Sequence, residues 1–149
     1  MSVGEYCNRE VVVVERTEPV SEAVQLMRKH HVGSVVVVRK NDDKLLPVGI
    51  LTDRDLVVEV IAANVNPETL LAQDVMSFNL VSANEAQEMW QVAGLMQGKG
   101  IRRIPIVDRD GFLVGIFSMD DVLEIVTAEL SSLARLADRE RNNEALVRQ

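Results

Sequence analysis

An eight-residue pattern occurs twice in this chain and restricts the folds that it can adopt. Residues 49–56 read GILTDRDL, and residues 115–122 read GIFSMDDV. Each copy consists of a glycine, two apolar residues, a hydroxyl residue, two variable positions, an acid and an aliphatic residue. Each copy follows a short apolar run and precedes a helical pattern, so Thr52 and Ser118 stand where a strand turns into a helix. Internal duplication of this kind predicts two similar folding units.

The duplication extends well beyond this motif. A shift of 69 positions aligns Val12 with Val81 and Met27 with Met96, and after the central loop the shift becomes 66. Because there are only two copies, the chain is a tandem pair and not a solenoid. We place the first unit at residues 8–66, the second unit at residues 67–130 and a helical extension at residues 131–149.

Both units show the same predicted order of elements, namely strand, helix, strand, strand and helix. Runs of β-branched residues indicate strands, and apolar residues at intervals of three and four indicate helices. In the first unit we expect strands at residues 11–14, 34–38 and 46–51, and helices at about 20–32 and 52–63, with Gly33 ending the first helix. In the second unit we expect strands at residues 80–82, 103–107 and 112–117, and helices at about 85–97 and from 118 onward.

The valine runs at residues 11–14 and 35–38 look like strands buried on both faces, so helices should cover the sheets. The predicted fold class is therefore α/β (α+β), with a small β-sheet covered by helices in each unit. A unit of about 60 residues buries little surface by itself, so we expect the two units to pack against each other.

Composition excludes several classes of protein. No apolar stretch approaches the roughly 18 residues that a membrane span requires, and the N-terminus has no secretory pattern. The single cysteine, Cys7, excludes an internal disulfide framework and favours a cytoplasmic location. A net charge of −7 argues against nucleic acid as a partner. The only two histidines are adjacent, and no cluster of metal ligands can be identified in the sequence.

The repeated motif carries chemistry that suits a diol. An ionised aspartate accepts hydrogen bonds from two neighbouring hydroxyls at once, and the Thr or Ser can add one more. Main-chain N–H groups at the helix start would attract phosphate, and the glycine would allow close approach of the backbone. A hydroxyl residue followed three positions later by an acid also resembles a capping box. Residue types and spacing alone favour the cap over the ribose site.

The two units resemble the CBS domain, and their pairing resembles the two-domain Bateman module. The resemblance rests on DVMS at residues 74–77, on RRIPIVD at residues 102–108 and on the two glycine motifs, and it covers about residues 8–130. It implies a tandem pair of CBS units related by pseudo-twofold symmetry. It also implies a homodimer formed through helices.

The same resemblance implies sites for adenosine-containing ligands, namely AMP, ADP, ATP or NAD, and it favours the ribose role of the motif over the cap. In this family the hydroxyl and acid of the motif hold ribose, aliphatic residues near the first strand enclose adenine, and basic residues at the second strand reach phosphate. Carried over, the ribose residues are Thr52, Asp55, Ser118 and Asp121; the adenine residues are Val11, Val12, Val13, Leu80, Val81 and Ser82; and the phosphate residues are Arg102 and Arg103, with Arg54 as a further cation.

The first unit departs from the family pattern in two places. Residues 6–10 do not resemble DVMS, and Gly33 and Ser34 stand where the second unit has Arg102 and Arg103. The two sites therefore need not hold the same ligand, and Arg54 could supply the cation for the first. Adjacent strand residues point to opposite faces, so we expect one arginine of the pair to face a given pocket. The alternative is that these arginines pair with surface acids.

Three functional hypotheses follow. The first is a non-enzymatic sensor that binds an adenine nucleotide and signals through an unidentified effector protein, with no catalytic cofactor and no membrane or nucleic-acid partner. The second is a structural dimerisation module in which the repeated motifs act only as helix caps. An enzyme has little support, because no group can be nominated for general acid–base catalysis.

The C-terminal extension has two interpretations. Apolar residues recur at intervals of three and four as far as Ala137, and Glu140 and Glu144 then occupy the same stripe. This pattern is typical of a long helix that frays, or of a dimer contact or docking surface that ends near Ala137.

Overall fold

The structure is a computed structural model that describes residues 1–148. The chain forms two compact bodies: residues 1–117, which hold most of both sheets, and a C-terminal body that begins at Ser118. The first body contains α1 (Val3–Tyr6), β1 (Val13–Glu15), α2 (Val20–His30), β2 (Ser34–Asn41), β3 (Lys44–Thr52), α3 (Asp53–Leu56), a π-helical segment (Val57–Ile61), α4 (Ala72–Val75), β4 (Ala83–Asn84), α5 (Met89–Lys99), β5 (Arg103–Val107) and β6 (Leu113–Ser118). The second body is α6 (Met119–Val147).

Each repeat forms one small three-stranded sheet, in the order β1-β2-β3 and β4-β5-β6. The first strand of each sheet runs parallel to the second, with Val13 opposite Val36 and Ala83 opposite Ile106. In the first sheet β3 is antiparallel to β2, and a bulge falls between Val37 and Val38. This mixed α/β architecture of two small sheets with helices confirms the predicted fold class.

The middle strand of the first sheet is the centre of its core. Val35, Val36, Val37 and Val38 are each at most 1% exposed, although their side chains alternate between the two faces of the sheet. This confirms the prediction that the sheet is covered on both faces. Burial of one such side chain stabilises the fold by about 1.5–3 kcal/mol, so this run contributes strongly to stability.

The short helices α1 and α4, here called the leading helices, are exchanged between the repeats. In α1 the backbone N–H of Val3 donates to the carbonyl of Gln87, at 2.8 Å, in the second repeat. In α4 the N–H of Ala72 donates to the carbonyl of Glu18, also at 2.8 Å, in the first repeat. The side chains of Val3 and Ala72 are fully buried. Each leading helix therefore completes the fold of the other repeat, which is how the units pack together within residues 1–117.

The leading helices also correct the comparison of residues 6–10 with DVMS. Helix α1 lies 69 residues before α4, which is the same shift that relates the rest of the repeats. Glu5 is thus the counterpart of Asp74, and each carboxylate accepts a bond from the backbone N–H three residues earlier, at 3.2 Å from Ser2 and 2.8 Å from Leu71. The comparison should therefore have begun at residue 5 and not at residue 6. Residues 5–8 align with DVMS at residues 74–77, and the acid is the only residue type that the two segments share.

Several predicted boundaries of strands were displaced. The first strand of each repeat begins at Val13 and Ala83, and not at residues 11 and 80. An apolar run in the sequence does not show at which residue pairing with the neighbouring strand begins. Here the apolar residues before each strand have other roles. Val12 packs against the core of the first repeat, and Leu80 and Val81 line a cavity.

The ends of helices differ from the predictions for local reasons. Helix α2 ends at His30, and not at Gly33, because the next residue, His31, takes a left-handed conformation (φ 52°) and caps the helix. Helix α5 begins at Met89, and not at residue 85, because the Glu88 carboxylate accepts the N–H groups of Trp90 and Gln91, at 2.9 and 3.1 Å. The helix predicted for residues 52–63 is α-helical for four residues and π-helical for the next five.

The C-terminal body is one helix of 29 residues, α6, which continues without interruption to Val147. Within the part of the chain that the structure describes, no helix is both long enough and apolar enough to cross a membrane.

Candidate functional site

One cavity of about 460 Å³ opens within residues 1–117 and lies between the two repeats. Four segments form its wall: the start of β2, the β3–α3 junction, the chain after α4, and the α5–β5 junction. The lining residues are Gly33, Ser34, Ile50, Thr52, Asp53, Arg54, Asp55, Ser77, Asn79, Leu80, Val81, Gly100, Ile101, Arg102 and Arg103. This volume falls within the range of about 300–1,000 Å³ that is usual for small-molecule sites.

The first motif contributes Thr52 and Asp55 to this cavity. Both form a complete capping box: the Asp55 N–H donates to Thr52 Oγ1 at 3.2 Å, and the Thr52 N–H donates to Asp55 Oδ2 at 2.9 Å. The cap uses one carboxylate oxygen, and Asp55 Oδ1 accepts no hydrogen bond from any residue that the structure describes. The cap and a ligand contact are therefore compatible at the same carboxylate.

The second motif forms the same cap at the start of α6. The Asp121 N–H donates to Ser118 Oγ at 3.2 Å, and the Ser118 N–H donates to Asp121 Oδ2 at 2.7 Å. The Ser118 hydroxyl also bonds Asp121 Oδ2, at 2.8 Å. Both motifs are thus helix caps, as their spacing predicted.

Three arginines line the cavity beside the first motif. Arg102 and Arg103 come from the second repeat, and Arg54 comes from the motif itself. Arg102 and Arg103 occupy the positions in the second repeat that Gly33 and Ser34 occupy in the first. All four residues line the same cavity, so this difference in sequence does not distinguish two separate sites.

Both Arg102 and Arg103 line this cavity, contrary to the expectation that only one would. The alternation of side chains holds within a strand, and β5 begins at Arg103, so Arg102 lies before the strand and escapes that rule. The side chains of Arg54 and Arg103 make no ion pair or hydrogen bond within residues 1–148. Surface acids therefore do not neutralise these two guanidinium groups, which favours an anion in the cavity over the ion-pair alternative.

The apolar part of the wall comes from Leu80, Val81, Ile50 and Ile101. Leu80 and Val81 were predicted for the adenine pocket, whereas Ser82 of the same group does not line this cavity. Val11, Val12 and Val13 do not line it either: the Val12 carbonyl accepts the Val36 N–H at 3.0 Å, and Val13 belongs to β1.

The chain after α4 is held against the β3–α3 junction by a close approach of backbones. The N–H of Ser77 donates to the carbonyl of Ile50 at 3.0 Å. A Cβ atom on Gly49 would lie 2.6 Å from Met76 Sδ and 2.8 Å from the Ser77 carbonyl oxygen. The glycine of the motif thus admits the leading segment of the other repeat, and not a ligand as the motif suggested. Gly115 meets Cys7 and Asn8 in the same way, at 2.5 and 3.0 Å.

Sequence reasoning missed several lining residues, of which Asp53, Ser77 and Asn79 are the polar ones. The backbone N–H of Asp53 donates a hydrogen bond to the Gly33 carbonyl at 2.9 Å, which fixes the backbone of Asp53 at the cavity wall. Ser77 was available as the last residue of DVMS, but only the exchange of leading helices shows that it faces the motif of the first repeat. The described residues contain no group of three or more His, Cys, Asp or Glu side chains placed to hold a metal ion.

Comparison with known proteins agrees with this architecture. A sequence model of the CBS domain matches residues 3–62 and 72–128. An uncharacterised protein of Methanopyrus kandleri is 42% identical over 125 residues, which are 84% of this chain and 62% of that protein. A CBS domain-containing protein of Bacillus subtilis is 36% identical over 121 residues, covering 81% of this chain and 82% of its own length.

Among solved structures, a CBS domain protein of Pyrobaculum aerophilum complexed with AMP matches 85% of this chain and 99% of its own. The TM-score is 0.73 and the identity is 22%, so this likeness concerns the fold. The family model covers most of the chain and both sheets have the same order of strands. This chain belongs to the CBS domain family and contains a tandem pair of CBS units.

Proposed function

We propose that this protein is a non-enzymatic sensor that binds an adenosine-containing ligand, AMP, ADP, ATP or NAD, in the cavity between its repeats. One observation carries the proposal. The cavity combines the Asp55 carboxylate, which has a free oxygen, with an apolar wall and with the guanidinium groups of Arg54 and Arg103, which make no ion pair or hydrogen bond within residues 1–148. These three features suit ribose, adenine and phosphate respectively.

The roles follow from the chemistry of each group. Asp55 Oδ1 would accept hydrogen bonds from the ribose diol, and the Thr52 hydroxyl would add another. Leu80 and Val81 would enclose the base. Arg103 and Arg54 would bind phosphate, because a guanidinium offers planar, charge-assisted donors to phosphate oxygens. S-adenosylmethionine, which carries a sulfonium cation, suits a cavity with three arginines less well than a nucleotide does.

The relatives support this ligand class. The Pyrobaculum protein with the same fold was solved in complex with AMP. Ser118 and Asp121 repeat the hydroxyl and carboxylate chemistry of the first motif, and we include them as a second ribose-binding pair. Because Arg54 corresponds to Asp120 in the second motif, the charge beside the two pairs differs, and the pairs need not hold the same ligand.

The output of such a sensor would pass through a homodimer and an effector protein in the cytoplasm. The helix that follows the first motif leaves three aliphatic side chains exposed: Val57 is 54%, Val58 is 48% and Ile61 is 69% exposed. A cluster of this kind favours a contact with another chain. A ligand bound at the start of this helix could bias that contact only by binding one of its states more tightly.

A structural module without a ligand is the second candidate, and one observation favours it. Both motifs form complete capping boxes from their own residues, so the repetition of the pattern in the two repeats requires no ligand.

A thermal-shift panel separates the two candidates. AMP, ADP, ATP and NAD should raise Tm, with S-adenosylmethionine as the cationic comparison. A ligand at 100 times its Kd stabilises the folded state by about 2.7 kcal/mol, which corresponds to roughly 5–10 °C for a chain of this size. No shift with any of these compounds at millimolar concentration would favour the structural module. Chromatography of the ligand after incubation adds a test for turnover, and we expect it to be recovered intact.

A further inference from the structure

The C-terminal helix carries a narrow apolar stripe that runs along about half of its length, from Leu123 to Ala137. Leu123, Val126, Leu130, Leu133 and Ala137 follow one another at intervals of three, four, three and four residues. Leu123 is 57% exposed, and Leu130 and Leu133 are each 62% exposed. This stripe, which we call the α6 seam, is therefore largely uncovered in the single chain.

The spacing of the seam specifies what kind of surface can cover it. Intervals that average 3.5 residues are those of a coiled coil, in which the seam stays in contact with a second helix as both supercoil. A helix that packs on a globular core presents a wider stripe with a period of 3.6 residues. The seam therefore fits another helix.

The distribution of charge along α6 makes the helix complementary to itself in one orientation. Residues 119–130 contain four acids and no base, whereas residues 133–144 contain three arginines and three acids. The net charges of the two segments are therefore −4 and 0. Two parallel copies would place the acidic segments side by side and would also align Glu140 and Glu144 with their own copies. Two antiparallel copies place the acidic segment of each helix beside residues 133–144 of the other, which are neutral and carry three arginines, so this orientation avoids the repulsion between the two acidic segments.

We propose that α6 binds α6 of a second copy of this chain as an antiparallel coiled coil. The pair is centred between Leu130 and Leu133, so that Leu130 of each helix packs against Leu133 of the other and Val126 packs against Ala137. This proposal adds a contact to the proposed homodimer, separate from the exposed cluster of Val57, Val58 and Ile61, and it is independent of the nucleotide site.

Electron paramagnetic resonance distances between spin labels test the contact directly. In a full-length Cys7→Ser background, Asn142→Cys provides one labelling site on α6, 10.5 residues from the centre. At a rise of about 1.5 Å per residue, the labels of an antiparallel pair are about 30 Å apart. A parallel pair would bring them to the order of 10–20 Å, since paired helix axes lie about 8–10 Å apart.

A charge pair introduced on or off the seam provides the matched control. Leu130→Glu with Leu133→Glu should abolish the distance, whereas Ala128→Glu with Ser131→Glu, which adds the same charge to the outer face of the same helix, should preserve it. A short distance, no interchain distance, or a distance that survives in the seam variant would overturn the proposal. A dimer that light scattering detects in the seam variant would show that the chains meet elsewhere. Nucleotide-induced thermal shifts in the seam variant report separately on the sensor.

Discussion

At the scale of single residues, the repeated motif supports two roles with one carboxylate. Asp55 Oδ2 accepts the Thr52 N–H in the cap, and Oδ1 faces no donor in the described chain. The cap fixes the Asp55 carboxylate at the N-terminus of α3, and its free oxygen is then available to a diol without any rearrangement. A structural role of this motif therefore does not argue against a binding role.

Replacement of Asp55 separates these roles. Asp55→Ala should cost about 0.5–2 kcal/mol of stability through the lost cap and should also abolish most of the nucleotide-induced rise in Tm. Asp74→Ala is the matched control. The Asp74 carboxylate likewise accepts the backbone N–H three residues earlier, from Leu71 at 2.8 Å, but Asp74 does not line the cavity. If both variants lose stability and both still respond fully to AMP, Asp55 is only a cap. Asp121→Ala applies the same comparison to the second motif.

Asp108 gives the fold a defined response to acid. The backbone N–H of Phe112, at 3.0 Å, holds the pKa of this carboxylate below its ordinary value of 3.8, and the Asp110 N–H and the Lys44 ammonium group add to the effect. A lowered pKa means that the unfolded chain binds the proton first. The stabilisation is therefore present above pH 3.8 and is lost as the pH falls through the lower pKa of the folded state.

Asp108→Asn keeps an oxygen acceptor in the turn and removes the titration. In urea unfolding between pH 5 and pH 2, the free energy of unfolding of the natural chain should therefore fall more steeply than that of Asp108→Asn. Parallel pH profiles for the two proteins would contradict this assignment.

At the scale of secondary-structure elements, the exchanged leading helices explain why the motif begins with glycine. Gly49 and Gly115 each face the segment that follows the leading helix of the other repeat, with no room for a side chain. The glycines thus hold the two repeats together, and one of them holds the Ser77–Val81 wall of the cavity in place.

Gly49→Ala should therefore destabilise the fold by about 1–3 kcal/mol, because the added methyl group would overlap a backbone carbonyl as well as Met76. Gly98→Ala is the control. It lies within α5 with no atom within 4 Å of the added carbon, so it should stabilise the chain by about 0.5–1 kcal/mol. Equal midpoints of urea unfolding for the two variants would show that the close approach at Gly49 is not maintained.

The elements also show what sequence patterns can and cannot predict. The valine runs predicted a buried sheet, and the shift of 69 residues predicted the duplicated order of elements, because both depend on local patterns of side chains. The exchange of leading helices depends on tertiary pairing, which leaves no local pattern. For this reason Arg102 and Arg103 were assigned to surroundings of the second motif, although the structure places them in the cavity of the first.

At the scale of the whole molecule, a net charge of −7 contrasts with three arginines in one cavity. An acidic surface discourages general binding of anions, so an anionic ligand must be bound by a local arrangement of cations. The cavity lies at the junction of the repeats, and its wall takes residues from both. A bound ligand would therefore stabilise the pairing of the repeats as well as the motif itself.

Titration of the isotopically labelled full-length chain with AMP, followed by nuclear magnetic resonance, tests the central claim most directly. The account predicts saturable shifts of the backbone amides of Thr52, Asp55, Leu80 and Arg103, which line the cavity, with little change at Gly98 or Gly111. Asp55→Ala should remove these shifts at the same AMP concentration. Shifts confined to residues outside the cavity, or a spectrum unchanged at millimolar AMP, would contradict it.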